Sequence, residues 1–284
     1  MLPIVINLSG DCTQKCIFCH GYFKEGMNKD NHSWYFNEIK KKILVFIGRK
    51  SFTECMLIGN EPTNFTYFFE FLEFLNNLGI KDIYIQTTGE RFSDYDFAKK
   101  CYDLGVKGLY IPIYGDDEIH DKVTGKDGAY FKLKQAIENI SKIGIKYYFH
   151  TILIKQNYPF SFEGVFKKSR IIAHYPYKDN KLDYKLFSIK LSDINEYDKN
   201  NILPFRIPCL KIGMSKLDKI LINYSKGHIG NKIKISPYKI EIEKQNKIFY
   251  YGKKCDSCAY KNNLCTGVYK EYLDLHGDNE FNPI

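Results

Sequence analysis

Hydrophobic and polar positions follow a repeating strand–helix order through the first two-thirds of the chain. Short apolar runs predict strands at residues 3–8, 54–58, 82–86, 108–113, 146–154 and 184–190. Amphipathic stretches predict helices at residues 34–47, 67–78, 94–104, 129–143 and 162–173. Strands joined by helical crossovers pair in parallel, so we expect an α/β fold, either an open doubly wound sheet or a partial barrel. Both place their chemistry at the carboxyl ends of the strands.

This alternation lapses after about residue 190. Residues 192–201 are polar and rich in turn formers, and residues 232–251 predict a pair of strands around a turn near residues 244–246. We therefore expect two domains, one at residues 1–190 and a smaller α+β domain at residues 191–284.

Composition narrows the class of protein. With 44% hydrophobic and 26% charged residues among 284, the chain is neither disordered nor fibrous. The longest apolar run, residues 43–47, is far shorter than a membrane span, and the first apolar stretch has no basic flank. We expect a cytoplasmic protein with no membrane partner. Only four of the 42 basic residues are Arg, so we also expect no nucleic-acid partner.

The nine cysteines are the strongest chemical signal. Their odd number and the lack of a secretion signal argue against a disulfide framework. Three lie within eight residues near the start and three within eleven near the end, which is typical of metal or iron–sulfur ligands. Cys55 and Cys101 stand alone, and we expect both in the core.

The first group, Cys12-Thr-Gln-Lys-Cys16-Ile-Phe-Cys19, follows the first predicted strand with C-x3-C-x2-C spacing. It offers three thiolates and leaves a fourth position open. A zinc site would have to recruit His20 to close, whereas an iron–sulfur cluster with one free iron uses three cysteines directly.

The second group combines Cys255, Cys258 and Cys265 with the earlier Cys209. Four thiolates suit a closed zinc knuckle or a fully ligated [4Fe–4S] cluster, and the residues alone leave both readings open.

The C-x3-C-x2-C loop, with Phe18 before its third cysteine, resembles the signature of the radical S-adenosylmethionine (SAM) enzymes. The resemblance implies a partial (β/α)6 barrel and a [4Fe–4S] cluster held by Cys12, Cys16 and Cys19. It also implies that the fourth iron binds SAM, and that reduction by a donor such as flavodoxin or ferredoxin cleaves SAM to methionine and a 5′-deoxyadenosyl radical. That radical abstracts a hydrogen atom from the substrate.

Other segments resemble the same superfamily. Gly59-Asn60-Glu61-Pro62 is similar to its GGEP motif, which implies that Glu61 meets the SAM ammonium group. Thr87-Thr88-Gly89 is similar to its Thr-Asn-Gly, which implies a SAM contact at Thr87. Pro112 stands where relatives carry a ribose-binding Ser, so the ribose partner must lie elsewhere, and Thr151 is the candidate.

Two further stretches resemble the SPASM/twitch branch of the superfamily. Residues 117–131 are similar to its segment after strand four, which implies a loop that caps the next helix and a structural His120. The C-terminal cysteines are similar to its cluster-binding tail. Four cysteines imply one auxiliary [4Fe–4S] cluster in a small twitch-type domain, with Cys209 as its fourth ligand or as a free thiol that donates a hydrogen atom.

For catalysis, strand alternation makes His150 and Tyr148 candidates to face the substrate in the barrel. The resemblance favours a peptide or protein substrate, modified by crosslinking, epimerisation or oxidation, over a small molecule that is dehydrogenated or isomerised. A zinc-binding adaptor without enzyme activity is a distant alternative.

Overall fold

The computed structural model describes residues 4–8, 10–19, 31–48, 52–160, 184–194, 232–243, 249–259 and 267–282, with shorter pieces at 162, 164, 166, 171–174, 202–203, 210, 261 and 265. The chain divides into two compact units. The first comprises Met1–Pro112, His120–Phe149 and Lys226–Lys244, and the second comprises Ile113–Ile119, His150–Ser225 and Gln245–Ile284.

The elements alternate as expected in the first part of the chain. The strands are β1 (Ile4–Asn7), β2 (Glu54–Ile58), β3 (Asp82–Gln86), β4 (Val106–Pro112) and β5 (Lys146–Ile152). The helices are α1 (His32–Ile47), α2 (Phe68–Asn77), α3 (Tyr95–Asp103), α4 (Asp117–Thr124) and α5 (Ala129–Ile143). Later come β6 (Ile171–His174), α6 (Tyr184–Phe187), β7 (Ile202–Leu203), β8 (Lys232–Ile235), β9 (Ile240–Glu243), β10 (Phe249–Tyr250), β11 (Val268–Tyr269) and α7 (Lys270–His276).

The main sheet is parallel and confirms the predicted α/β class. In the first unit its strand order is β9-β8-β1-β2-β3-β4-β5. Parallel pairing joins β8 to β1, β1 to β2, β2 to β3 and β3 to β4, and only the β8–β9 hairpin is antiparallel among the pairings described there. A six-strand parallel sheet with helical crossovers is the architecture of a partial (β/α)6 barrel, as predicted.

Apolar side chains on the helices account for their packing. Helix α1 buries Tyr35, Ile39 and Ile43, four residues apart, and α2 buries Phe68, Phe71, Leu72 and Leu75. Cys55 and Cys101 are both buried as free cysteines, which confirms their place in the core.

One secondary-structure prediction is wrong, and two others agree with the structure only in part. Residues 184–190 begin with helix α6, because Tyr184 and Phe187, one helical turn apart, are both buried. Within the helix expected at residues 162–173, the described residues Gly164 and Phe166 are helical, but strand β6 begins at Ile171, so the predicted helix extends too far. The structure has a hairpin turn at residues 236–239, where Ser236 and Lys239 are joined by hydrogen bonds, and the turn expected near residues 244–246 lies outside the described residues.

The hairpin also belongs elsewhere than expected. Strand β8 pairs in parallel with β1, and the hairpin groups with the first unit. The second unit has its own core, formed by Leu153, Tyr184, Ile189, Leu191, Ile194, Val268, Tyr269, Tyr272 and Phe281. The division into a barrel at residues 1–190 and a cluster domain at 191–284 stays a prediction.

Candidate active site

The first cysteine group lies on the loop that follows β1. Cys12 and Cys19 are exposed and Cys16 is half-buried, whereas Gln14 and Phe18 are buried and anchor the loop. The Cys19 N–H donates to the Cys16 carbonyl (2.9 Å), so the last two cysteines share one tight turn. One short segment thus presents all three thiols.

The thiols of this loop influence one another. Burial raises the pKa of Cys16 to about 12, and Cys12 and Cys19 raise it further. Burial likewise raises the pKa of Cys12 to about 11, with smaller contributions that include Cys19. A charge on one of these thiolates therefore disfavours a charge on the next. This donor set fits a cluster with three thiolate ligands, and loading it must displace thiol protons.

Within the part of the chain that the structure describes, no three His, Cys, Asp or Glu side chains are already arranged around a metal-sized space.

The end of helix α4 supports the back of the loop. The N–H of Lys15 donates to the carbonyl of Thr124 (2.7 Å), and the N–H of Ile17 donates to the carbonyl of Val123 (3.0 Å). Carbonyls at a helix end lack partners within the helix, so the loop satisfies them. Gly125 follows with a left-handed φ of 63°, and a Cβ there would lie 2.8 Å from the Lys15 oxygen.

A buried carboxylate supports the other side of the loop. Glu90, which is 9% exposed, accepts hydrogen bonds from the Gln14 amide (3.1 Å) and the Thr13 hydroxyl (3.1 Å). Lys126 forms an ion pair with the same carboxylate and donates to the Thr13 hydroxyl (2.8 Å). The residues between Cys12 and Cys16 are thus held by side chains from distant parts of the sequence.

The Glu-Pro turn after β2 touches the start of the cysteine loop. Gly10 and Glu61 exchange backbone hydrogen bonds of 3.2 and 3.3 Å. A Cβ on Gly10 would lie 2.3 Å from the Phe65 nitrogen and 2.6 Å from the Glu61 oxygen, so only glycine permits this approach.

The Glu61 carboxylate ties the carboxyl ends of β2 and β3 together. It is 2% exposed. Its Oε1 accepts from the Thr63 N–H (3.1 Å) and from the Thr63 and Thr87 hydroxyls (both 2.7 Å), and its Oε2 accepts from the Thr88 N–H (2.7 Å). Four protein donors already meet this carboxylate. Contact with the SAM ammonium stays a prediction, and the site for it is the second lone pair of Oε2.

The other predicted SAM contacts differ in accessibility. Gly59 and Asn60 are half-buried beside the turn, and Pro62 is buried at its start. The Thr87 hydroxyl donates to Glu61 and accepts from the Gly89 N–H (3.1 Å), so it already has two partners.

On β5, side chains alternate as expected. The Tyr148 ring stacks on Tyr110 with centroids 5.0 Å apart, and the ring of Phe149 lies 5.3 Å from that of Tyr147. In the second unit, His150 is 7% exposed, and Thr151 is fully buried and accepts from the Asn157 amide (3.3 Å). The catalytic candidacy of Tyr148 and His150 and the ribose contact at Thr151 stay predictions.

The segment before α5 caps that helix as predicted, although its residues Asp117–Thr124 form helix α4 and not a loop. The Asp121 carboxylate accepts from the N–H groups of Gly128 (2.6 Å) and Tyr130 (2.9 Å) and so caps that helix. His120 is 2% exposed, and burial lowers its pKa to about 4. It is therefore neutral at physiological pH and packs with Tyr130.

The second unit gathers the later cysteines. Cys255 and Cys258 lie in and after a short 3₁₀ turn, with the Cys258 N–H donating to the Cys255 carbonyl (3.1 Å). Burial raises the pKa of Cys265, and Cys255 and Cys258 raise it further. Cys209 and His20 lie outside the described residues.

Sequence reasoning missed the side chains that brace the first loop, namely Gln14, Thr13, Glu90 and Lys126. No local signal pairs them, because Gln14 and Glu90 are 76 residues apart. The left-handed Gly125 could have been suspected from Thr-Gly at the end of a predicted loop, but its contact with Lys15 could not.

Comparison with known proteins agrees with this geometry. The sequence profile described as "Radical SAM superfamily" matches residues 6–159, more than half of the chain. The chain belongs to the radical SAM superfamily. Membership in this family implies a [4Fe–4S] cluster and SAM as cofactors.

Individual relatives are distant. A probable GTP 3′,8-cyclase from Methanococcus maripaludis is 25% identical over 140 residues, covering 49% of this chain and 46% of that protein. An Fe-coproporphyrin III synthase from Methanosarcina barkeri is 25% identical over 156 residues, covering 55% and 38%. The chain thus spans less than half the length of these relatives. The crystal structure of HydG, a maturase of the [FeFe]-hydrogenase, has a TM-score of 0.52 at 10% identity, covering 86% and 61%, and shows the fold alone.

None of the helices in the described part of the chain is both long and apolar enough to cross a bilayer.

Proposed function

We propose that this radical SAM enzyme removes a hydrogen atom from a peptide or protein substrate and that one auxiliary [4Fe–4S] cluster assists the reaction. The observation that carries the proposal is the presence of two separate groups of three cysteines, in each of which a backbone hydrogen bond joins two of the cysteines in one turn. Cys12, Cys16 and Cys19 form the first. Cys255, Cys258 and Cys265 form the second, and Cys209 is its proposed fourth ligand.

Residues at the strand ends have distinct proposed roles around SAM. Phe18, which is 7% exposed, is proposed to exclude water from one side of the loop. Gly59, Asn60 and Pro62 shape the turn that carries Glu61, whose Oε2 is proposed to accept from the SAM ammonium. Thr87 supports that carboxylate through its hydroxyl.

Cys12, Cys16 and Cys19 would hold the first cluster, which would supply the reductive cleavage of SAM to a hydrogen-abstracting radical, with flavodoxin or ferredoxin as the proposed electron donor. Cys255, Cys258 and Cys265, with Cys209, would hold the auxiliary cluster, which would supply an electron acceptor for oxidation of the substrate. His150 and Tyr148 are the proposed side chains beside the substrate.

A peptide substrate is favoured by the likeness of residues 117–131 and of the C-terminal cysteines to the SPASM/twitch branch. The alternative is a small-molecule dehydrogenase or isomerase. The two curated relatives favour it, since their names specify GTP and an iron coproporphyrin.

Iron, sulfide and zinc per chain after anaerobic reconstitution test the two-cluster part. We expect about eight irons for the native chain and about four for either the Cys12/Cys16/Cys19→Ala or the Cys255/Cys258/Cys265→Ala variant. Cys55→Ala is the matched control, because this buried cysteine lies outside both groups, and it should keep about eight. If the native chain held only about four irons, with zinc or no metal at the second group, the proposed auxiliary cluster would be wrong. Redox-neutral chemistry would then be favoured.

Deuterium transfer into 5′-deoxyadenosine tests the substrate. Deuterated peptides are compared with deuterated GTP and coproporphyrin under identical reducing conditions. Deuterium transfer from a peptide to 5′-deoxyadenosine would support the proposed peptide substrate. Transfer from the small molecules alone would favour the small-molecule alternative instead.

A further inference from the structure

The residues between Cys12 and Cys16 depend on one carboxylate from another part of the chain. The side chains of Thr13 and Gln14, consecutive in sequence, both donate to Glu90 at 3.1 Å. Glu90 begins the 3₁₀ turn Glu90–Ser93, and its neighbouring Thr87 and Thr88 are hydrogen-bonded to Glu61. The carboxylate is thus mounted on a fixed part of the fold, while the loop it holds is largely exposed.

We propose that Glu90 is a positioning residue whose carboxylate, paired with Lys126, holds the first half of the cysteine loop in the shape that presents Cys12 and Cys16 to a cluster. The inference rests on the proposed cluster-binding role of this loop.

The Gln14 amide connects Glu90 to a cysteine. Its Nε2 donates to Glu90, and its Oε1 accepts from the Cys16 thiol (3.6 Å). Gln14 is 6% exposed, so it has little freedom to exchange either partner for water. The orientation of Cys16 therefore follows from that of Glu90.

Lys126 balances the charge at this position. It pairs with Glu90 and also donates to Thr13, so cation and carboxylate hold the same loop residue. An unpaired carboxylate here would oppose thiolates at Cys12 and Cys16, because like charges repel strongly where burial lowers the dielectric. The pair thus provides a strong hydrogen-bond acceptor without adding net charge beside the cluster.

Thiol alkylation of the iron-free full chain, read cysteine by cysteine by mass spectrometry, tests the brace. In Glu90→Ala we expect Cys16 to react about tenfold faster, because charge-assisted hydrogen bonds are lost. Glu138→Ala, an exposed glutamate on α5, is the matched control and should leave the rate unchanged. Cys55 and Cys101 report unfolding within the same molecules, since both are buried. An unchanged Cys16 rate, or parallel acceleration of Cys55 and Cys101, would overturn the proposal.

The reduction potential of the loaded first cluster tests the charge balance. Glu90→Gln leaves Lys126 unpaired and should raise the potential, whereas Lys126→Met leaves Glu90 unpaired and should lower it. A purely structural role would not produce opposite signs, so shifts of the same sign, or none, count against it. Alkylation uses protein without iron, so its result is independent of whether the chain binds a cluster or cleaves SAM.

Discussion

Gly125 is the position where a single methyl group would test the contact between helix α4 and the cysteine loop. Its φ is 63°, and an added Cβ would lie 2.8 Å from the Lys15 carbonyl oxygen. Gly128 has a similar φ of 73°, and an added Cβ there would meet nothing within 4 Å. The variants Gly125→Ala and Gly128→Ala therefore share the cost of placing alanine at a positive φ. Only Gly125→Ala also brings a Cβ against the Lys15 carbonyl oxygen.

The expected loss of stability is the sum of the backbone cost and the cost of the close contact. Alanine in the left-handed region costs about 1–2 kcal/mol at either position. At Gly125 the opposing carbonyl belongs to Lys15, whose own N–H is held by Thr124 at 2.7 Å, so the loop cannot retreat without losing that bond. Overpacking of this kind adds about 1–3 kcal/mol. We expect Gly128→Ala to lower the free energy of unfolding by about 1–2 kcal/mol and Gly125→Ala by about 2–5 kcal/mol.

Urea unfolding of the iron-free chain, followed by far-UV circular dichroism, gives both values, and iron uptake then shows whether the cysteine loop is displaced. Gly125→Ala should load less iron at the first group, while Gly128→Ala should load as the native chain does. Equal destabilisation of the two variants, with equal iron uptake, would refute the argument that the loop rests against the end of α4.

Two further predictions concern buried titratable groups. Glu61→Gln places an amide N–H group against either the Thr88 N–H or the threonine donors. We therefore expect the free energy of unfolding, measured in urea, to fall by about 2–4 kcal/mol. An unchanged urea midpoint would contradict the hydrogen-bond network. For His120, burial lowers the folded-state pKa to about 4, so below its ordinary value of 6.5 the unfolded state takes up the proton first. The contribution of neutral His120 to the free energy of unfolding is complete above pH 6.5. As the pH falls towards 4, up to about 3 kcal/mol of that contribution is lost. In His120→Asn the stability curve should be flatter over that interval, and an unaltered slope would assign the pH dependence to other groups.

Most regular elements were predictable because their cause is local. Strands β2 and β3 and helix α5 have the predicted bounds, since apolar residues recur with the period of the element itself. The errors fall on short segments. Tyr184 lies on a helical turn and packs in a core contributed by residues 153–281, and strand β8 pairs with β1 more than 220 residues away. Neither partner is visible in the segment itself.

The candidate site likewise has one part that the local sequence determines and another that depends on tertiary structure. The spacing of Cys12, Cys16 and Cys19 puts three thiols on one loop whatever the rest of the chain does, so family and cofactor could be inferred from a stretch of eight residues. The environment of those thiols depends on which distant groups the parallel sheet brings to its carboxyl edge. Glu90 and Lys126 reach the loop only because β3 and the α4–α5 connection end beside it, and the Glu61 carboxylate accepts from Thr87 and Thr88 only because β2 and β3 are neighbours. Local spacing thus determined what this loop can bind, and tertiary structure decided how rigidly, and in which electrostatic surroundings, the loop is held.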